Sequence, residues 1–184
     1  MVLPKTIHWG EKLLIGIAAI AVVLILFFLN GHRVVTTGGS VANIAQHPLA
    51  PEFSLPELTG QTLDLSAYRG KVVLLDFWAT WCGPCLEEIP HFIALQNKYG
   101  DRGLQVIGIS MDDGPGPVRE FDKRFNFNYP VAMGNAKVGE LYGGVLGLPI
   151  AFLIGRDGRI EAEHFGATDI TVLEREINAL LERR

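Results

Sequence analysis

Hydrophobic and polar positions divide the 184-residue chain into two regimes. From Leu13 to Leu29 the run LLIGIAAIAVVLILFFL carries no charge and is apolar on every side. At about 1.5 Å per residue, a helix of this length nearly crosses a ~30 Å hydrocarbon layer, so the run predicts a transmembrane helix rather than a buried helix of a soluble core. From residue 51 to 184 the pattern changes. Short β-branched apolar runs alternate there with stretches of helical period, the mark of an α/β domain. Between the two regimes, residues 30–50 hold no sustained period and are rich in Gly, Thr, Ser and Asn, as a linker is. The predicted organisation is a cytoplasmic tail over 1–12, an anchor over 13–29, a linker over 30–50 and a folded domain over 51–184.

Within the domain, FSLPEL and QTLDLSAY flank a turn at Thr59-Gly60 and predict a hairpin. KVVLLDFWA (Lys71 to Ala79) and LQVIGIS (Leu104 to Ser110) read as strands buried on both faces. A helix is predicted from near Cys82 to Tyr99, with Gly100 taking a left-handed cap. A second helix opens with Pro117 in its first turn and turns Val118, Phe121 and Phe125 inward. YPVAM predicts a short strand, KVGELYG a short helix, and IAFLIGRDGRIEAEHFG a hairpin turning at Arg156-Asp157-Gly158. The last helix aligns Ile170, Leu173, Ile177 and Leu180, with Thr171 and Glu174 spaced as a capping box. A mixed sheet flanked by helices follows.

Charge narrows the function. The net charge of -4 and the lack of any Lys/Arg run exclude a nucleic-acid surface, which depends on neutralising phosphates. Lys5 and Lys12 precede the apolar run and only Arg33 follows it closely, which orients the N-terminus to the cytoplasm and the domain to the far side of the membrane. A cleaved signal peptide is the rival reading, but its best small-residue site, Ser40 to Ala42, lies well beyond the run.

The chain has two cysteines, Cys82 and Cys85, in VVLLDFWATWCGPC. At the start of a helix, free backbone N-H groups and the positive end of the helix dipole favour a thiolate on Cys82, and Cys85 lies one turn further in, within reach of a mixed disulfide formed there. Gly83 and Pro84 permit the tight turn. A structural disulfide across so short a loop constrains little of the unfolded chain, and a metal site needs ligands that are not nearby in sequence. Asp76 stands in the middle of the strand, between apolar neighbours, where an ionised carboxylate carries a desolvation cost and its pKa should rise.

DFWATWCGPC, Pro90 and GLPIAFLI together resemble the thioredoxin superfamily, and the added N-terminal hairpin, central insert and anchor resemble its TlpA/ResA-like branch. The resemblance implies a thioredoxin-like fold preceded by one transmembrane helix. It further implies a membrane-anchored, extracytoplasmic (periplasmic-side) thiol-disulfide oxidoreductase that needs no cofactor beyond a redox-active Cys82-Cys85 disulfide. Its partners would be disulfide-containing proteins and a membrane thiol-relay electron donor. Cys82 would be the nucleophile, Cys85 the resolving thiol and Asp76 the base for Cys85, with a structural hydrogen-bonding role as the alternative for Asp76. Many relatives in that branch carry asparagine at this position. Glu88 matches a glutamate found near the active site in that branch, against the alternative of a surface carboxylate, while Glu87 reads as solvated. Leu148 and Pro149 match the cis-proline loop that binds the partner backbone, with an ordinary turn proline as the alternative. Trp81, Gly83 and Pro84 would complete the partner surface, and Trp78 either shields the site with Trp81 or packs in the core. Ile150 departs from the threonine of many relatives.

Narrower or rival readings remain. A cytochrome c maturation reductase often carries GxPE where this chain has GLPIA. A peroxiredoxin-type peroxidase sets its cysteine in Thr-x-x-Cys, whereas Thr80 lies two residues before Cys82. A copper-delivery protein would use the two thiolates as Cu(I) ligands, but the three methionines are scattered.

Overall fold

In the computed structural model, which describes residues 47–183, every position of the run Val72–Trp78 is buried, and this strand, β3, is the axis of the fold. Its side chains alternate between two cores. Val72, Leu74 and Trp78 join one cluster, and Val73, Leu75 and Phe77 the other. β4 (Leu104–Ser110) lies parallel on one side, and beyond it β5 (Val131–Met133), also parallel. β6 (Ile150–Ile154) and β7 (Ile160–Phe165) run antiparallel on the other side, giving the order β5-β4-β3-β6-β7. A separate hairpin joins β1 (Ser54–Pro56) and β2 (Thr62–Asp64).

The two faces are covered differently. Ile89, Phe92 and Leu95 of helix α1 (Gly83–Tyr99) share one cluster with Val118 of α2 (Pro115–Phe125) and with Leu173, Ile177 and Leu180 of α4 (Ile170–Glu182). The opposite cluster is closed by Phe53, Leu55 and Leu63 around the hairpin, by Val138 of α3 (Ala136–Leu141), and by Tyr142. A short βαβ connection therefore carries the chain from the buried β3 directly into α1, and leaves the loop between them at the carboxyl end of the sheet.

Several expectations are corrected. Gly100 is right-handed (φ -54, ψ -47) and begins a 3-10 turn to Arg102, so the left-handed residue is Gly103 (φ 103), three positions later. Leu65–Tyr68, expected within the second hairpin strand, is also a 3-10 turn. The second helix begins two residues earlier than expected, at Pro115, and Pro117 stays in its first turn. The last helix is capped by Asp169, whose carboxylate accepts from Thr171 N-H at 2.8 Å, not by a Thr171/Glu174 box. Glu174 instead accepts from Lys98 Nζ and Tyr99 Oη, tying α4 to the end of α1. The turn at 156–158 is as expected, with Gly158 at φ 80.

Among the described residues no helix is long and apolar enough to cross a membrane. The predicted tail and anchor, and the linker up to residue 46, lie outside the described residues.

Gly103→Ala puts a Cβ on a left-handed residue, 2.9 Å from Arg156 Nη1, whereas Gly100→Ala keeps ordinary helical angles and meets only the flexible end of Gln96. The first substitution should lower stability by about 1–2 kcal/mol in urea unfolding and the second by less, since only the first pays the left-handed penalty.

Candidate active site

Cys82 is the N-cap of α1, in extended conformation (φ -90, ψ 102), and Gly83 and Pro84 form the first helical positions. Its Sγ accepts from the Cys85 backbone N-H at 3.3 Å, one of the donors that a helix start leaves free. The two cysteines are joined by a disulfide with Cα atoms 5.3 Å apart. Cys82 is 5% exposed and Cys85 1%, so an incoming thiol meets Cys82 first. Once reduced, a thiolate at Cys82 would lie against the helix N-terminus.

The peptide bond Leu148-Pro149 is cis. Ile150, the next residue, pairs with Phe77 at the carboxyl end of β3, and Pro149 O accepts from Gly166 N-H at 2.9 Å. Leu148 packs against the core cluster that includes both cysteines. The proline loop is thereby brought to the end of the sheet that carries the disulfide, as the resemblance implied.

Asp76 sits two residues before the end of β3 and is 3% exposed. Its register partners are Gly108 on β4 and Ala151 on β6, so the carboxyl is flanked by two of the smallest residues. A Cβ at Gly108 would stand 3.0 Å from Trp78 Nε1, which shows how closely the indole roofs that position. Among the described residues, Asp76 Oδ1 has no hydrogen-bond partner. Burial, and after it the charge of Glu88, holds the Asp76 carboxyl well above its ordinary range. Tyr129 is raised by burial and then by the charge of Asp76.

Glu88 is 4% exposed, which rules out the surface-carboxylate alternative. Its Oε1 accepts from Thr168 N-H at 2.7 Å, across the gap to the loop before α4. Burial raises its pKa, opposed by the Thr168 hydrogen bonds and by the nearby His164 and His91. Glu87 is exposed, as expected.

Trp78 packs in the core, its ring edge-on to Phe121 and Phe127 at 6.4 and 5.6 Å. It shares that core cluster with both cysteines, while Trp81 has 70% of its surface open to solvent. Gly83 and Pro84 are exposed beside it. Leu146, on the loop leading to Pro149, is 99% exposed, and Phe165, paired with Ile150, is 73% exposed. Open apolar side chains therefore occur on each segment that converges at this end of the sheet.

Sequence reasoning missed Asp112. Its carboxylate accepts from Thr80 N-H (3.0 Å), Thr80 Oγ (2.6 Å) and Ser110 Oγ (2.9 Å). Cys82 N-H donates to Ala79 O in the same turn. The carboxylate thus clamps the loop that presents Cys82. Its only signal in the sequence was an acidic residue just past β4, and the parallel register of Trp78 with Ser110 is what brings it to the loop.

Comparison with known proteins agrees with this geometry. Residues 48–163 match the AhpC/TSA family. The chain is 38% identical over 116 residues to the thiol-disulfide oxidoreductase ResA of Bacillus thuringiensis subsp. konkukian, a match covering 62% of this chain and 66% of that relative. It is 30% identical over 162 residues to the ResA of Geobacillus kaustophilus, covering 87% of this chain and 92% of the relative. Among solved structures, a Chlorobium tepidum protein assigned to the DsbE thiol:disulfide interchange proteins superposes with a TM-score of 0.70 at 38% identity, over 73% of this chain and 96% of that one.

Two outcomes are expected from the buried carboxylates. An acid whose folded-state pKa is raised contributes stability that is fully present below its unfolded pKa, about 4, and lost as pH rises through the folded value. Asp76→Asn should therefore be more stable than the parent at neutral pH, with the difference vanishing as pH falls toward about 4 in urea unfolding of the oxidised protein. Asp112→Ala strands two donors of Thr80 and should cost about 1–3 kcal/mol, whereas Thr80→Ser, which keeps both donors, should cost far less.

Proposed function

The chain belongs to the AhpC/TSA family and to its ResA-like thiol-disulfide oxidoreductases, and we propose that it is a membrane-anchored, extracytoplasmic reductase of protein disulfides acting through Cys82 and Cys85. The observation that carries this reading is the Cys82-Cys85 disulfide at the start of α1, with the more accessible sulfur at the helix N-cap. The apolar run Leu13 to Leu29 supplies the anchor.

In the reduced enzyme, the Cys82 thiolate attacks one sulfur of a partner disulfide. The partner's S-S bond breaks, a mixed disulfide forms on Cys82, and the leaving sulfur departs as a thiolate that takes up a proton. Cys85 then gives its thiol proton to the Asp76 carboxylate and attacks Cys82 Sγ. The enzyme disulfide closes, the mixed disulfide breaks, and the partner leaves as a dithiol carrying the two electrons. A buried carboxylate with a raised pKa suits this step, because it is a stronger base toward the thiol than a surface aspartate would be. Glu88, buried beside it, keeps the pair from ionising together. Trp81, Gly83, Pro84, Leu148 and Pro149 form the surface against which the partner's backbone lies.

The direction is reduction. Gly-Pro between the cysteines is the dipeptide of thioredoxin, which lies at about -270 mV, the reducing end of the thiol-disulfide range. Outside the cytoplasm the oxidised pair would be recharged by a membrane thiol-relay donor. Apocytochrome c is one substrate consistent with this placement.

Cys85→Ser should trap partners as mixed disulfides on Cys82, identifiable on non-reducing gels, and a trap that stays empty in cells while Cys82 remains accessible would refute the reductase reading. Asp76→Asn should slow release of the mixed disulfide by roughly a hundredfold or more in stopped-flow exchange, leaving the initial attack unchanged. Peroxide turnover by the purified protein, without reduction of protein disulfides, would point to a peroxidase instead.

A further inference from the structure

Asp76 is sealed from water, yet in the proposed reaction it must unload a proton in every cycle. The sheet register shows where that proton can go. Asp76 pairs with Ala151, and Ala151 pairs with His164 on β7, so the three lie in one cross-strand row. Ala151 and the row neighbour Val131 belong to the cluster under α1 and α4, and the row therefore faces that side of the sheet. Within the row only the methyl group of Ala151 stands between the residue that carries the carboxyl and the one that carries the imidazole.

Ionisable groups from three elements act on one another around this row. Asp76 comes from β3, Glu88 from α1 and His164 from β7, and Glu88 acts electrostatically on Asp76 while His164 acts on Glu88. His91, also on α1, acts on Glu88 from an exposed position, and the buried Tyr129, just before β5, feels the charge of Asp76. His164 Nε2 meets Glu176 Oε2 of α4 at 2.9 Å, with side-chain exposures of 16% and 33%. The series runs from a sealed carboxyl to one a third exposed, through an imidazole, whose two ring nitrogens can accept a proton on one side and donate on the other.

Resting on the reading of Asp76 as the base for Cys85, we infer that His164, oriented by Glu176, is the group through which the proton collected beside Cys85 is returned to solvent. No bond between heavy atoms changes in this step. The proton taken from the Cys85 thiol leaves Asp76 by way of the Glu88 side of the pocket, passes to His164 and is released at the Glu176 surface, restoring the Asp76 carboxylate. His164 touches neither sulfur and is a positioning and relay residue, so its loss affects release of the partner and not attack on it.

The test is multiple-turnover and single-turnover exchange by the full chain with a fluorescent peptide disulfide, resolving attack from release. His164→Ala should leave attack unchanged and slow release by on the order of tenfold, short of the roughly hundredfold expected for loss of the base itself. Added imidazole should restore release in that variant, an effect that a structural defect would not give. His164→Gln, which can still donate to Glu176 but cannot carry the proton, should be as slow as the alanine variant. In the Asp76→Asn background, His164→Ala should add nothing. Release at the parental rate in both His164 variants, or slow release that imidazole fails to restore in His164→Ala, would overturn the inference while leaving Asp76 as base if Asp76→Asn is slow. Parental release in Asp76→Asn would instead remove the base assignment, and this inference with it.

Discussion

A carboxyl group with an unpartnered oxygen in the middle of a fully buried strand is the constraint to which the surrounding structure answers. An ionised carboxylate there would lose most of its hydration with nothing to replace it, so the neutral form is favoured and the group holds a proton at pH values where surface aspartates have none. The neighbours make room for it. Gly108 and Ala151 flank it in register, the Trp78 indole lies over Gly108, and the buried Glu88 adds like charge that opposes its ionisation. Each of these raises proton affinity, and none supplies the compensating hydrogen bond that a purely structural aspartate would be expected to have.

The disulfide depends on a different balance. Its nucleophilic sulfur must be held still but remain reachable, and the loop that carries it has no regular hydrogen-bonding pattern of its own. Asp112 supplies what the loop lacks by accepting from both donors of Thr80, while Cys82 itself closes back onto Ala79 and onto Cys85. One carboxylate in this region is thus fully engaged and structural, and another, on the adjacent strand, is left unpaired. Their opposite hydrogen-bonding states distinguish their roles more clearly than their burial does, since both are below a tenth exposed.

What could be read from the sequence followed local pattern. β4 was predicted to its end residues and β3 to within one residue of each, because continuous β-branched runs allow little else, and the apolar neighbours of Asp76 already implied its burial. The cysteine pair announced both its helix and its chemistry. What escaped depends on contacts between distant segments. Whether Glu88 is solvated turns on Thr168, eighty positions away, whose loop closes over it. Asp112 reaches Thr80 only through the parallel register of two strands, and the relation of Asp76 to His164 needs two antiparallel registers in succession. The end of the first helix at Tyr99 was legible, but the left-handed glycine was not, because the chain continues from Gly100 into a 3-10 turn and only Gly103, packed against Arg156, takes the left-handed conformation.

Fold and chemistry also meet in the placement of β6. Because it runs antiparallel to β3, its first residue lies beside the carboxyl end of β3, and the proline loop that precedes it arrives at the disulfide without any long excursion. The same antiparallel step sets Ala151 beside Asp76 and carries the row onward to His164 on β7. One strand thus gives the site two things at once: the proline loop beside the more accessible sulfur at its start, and a small residue in the row that joins the buried acid to the His164 imidazole.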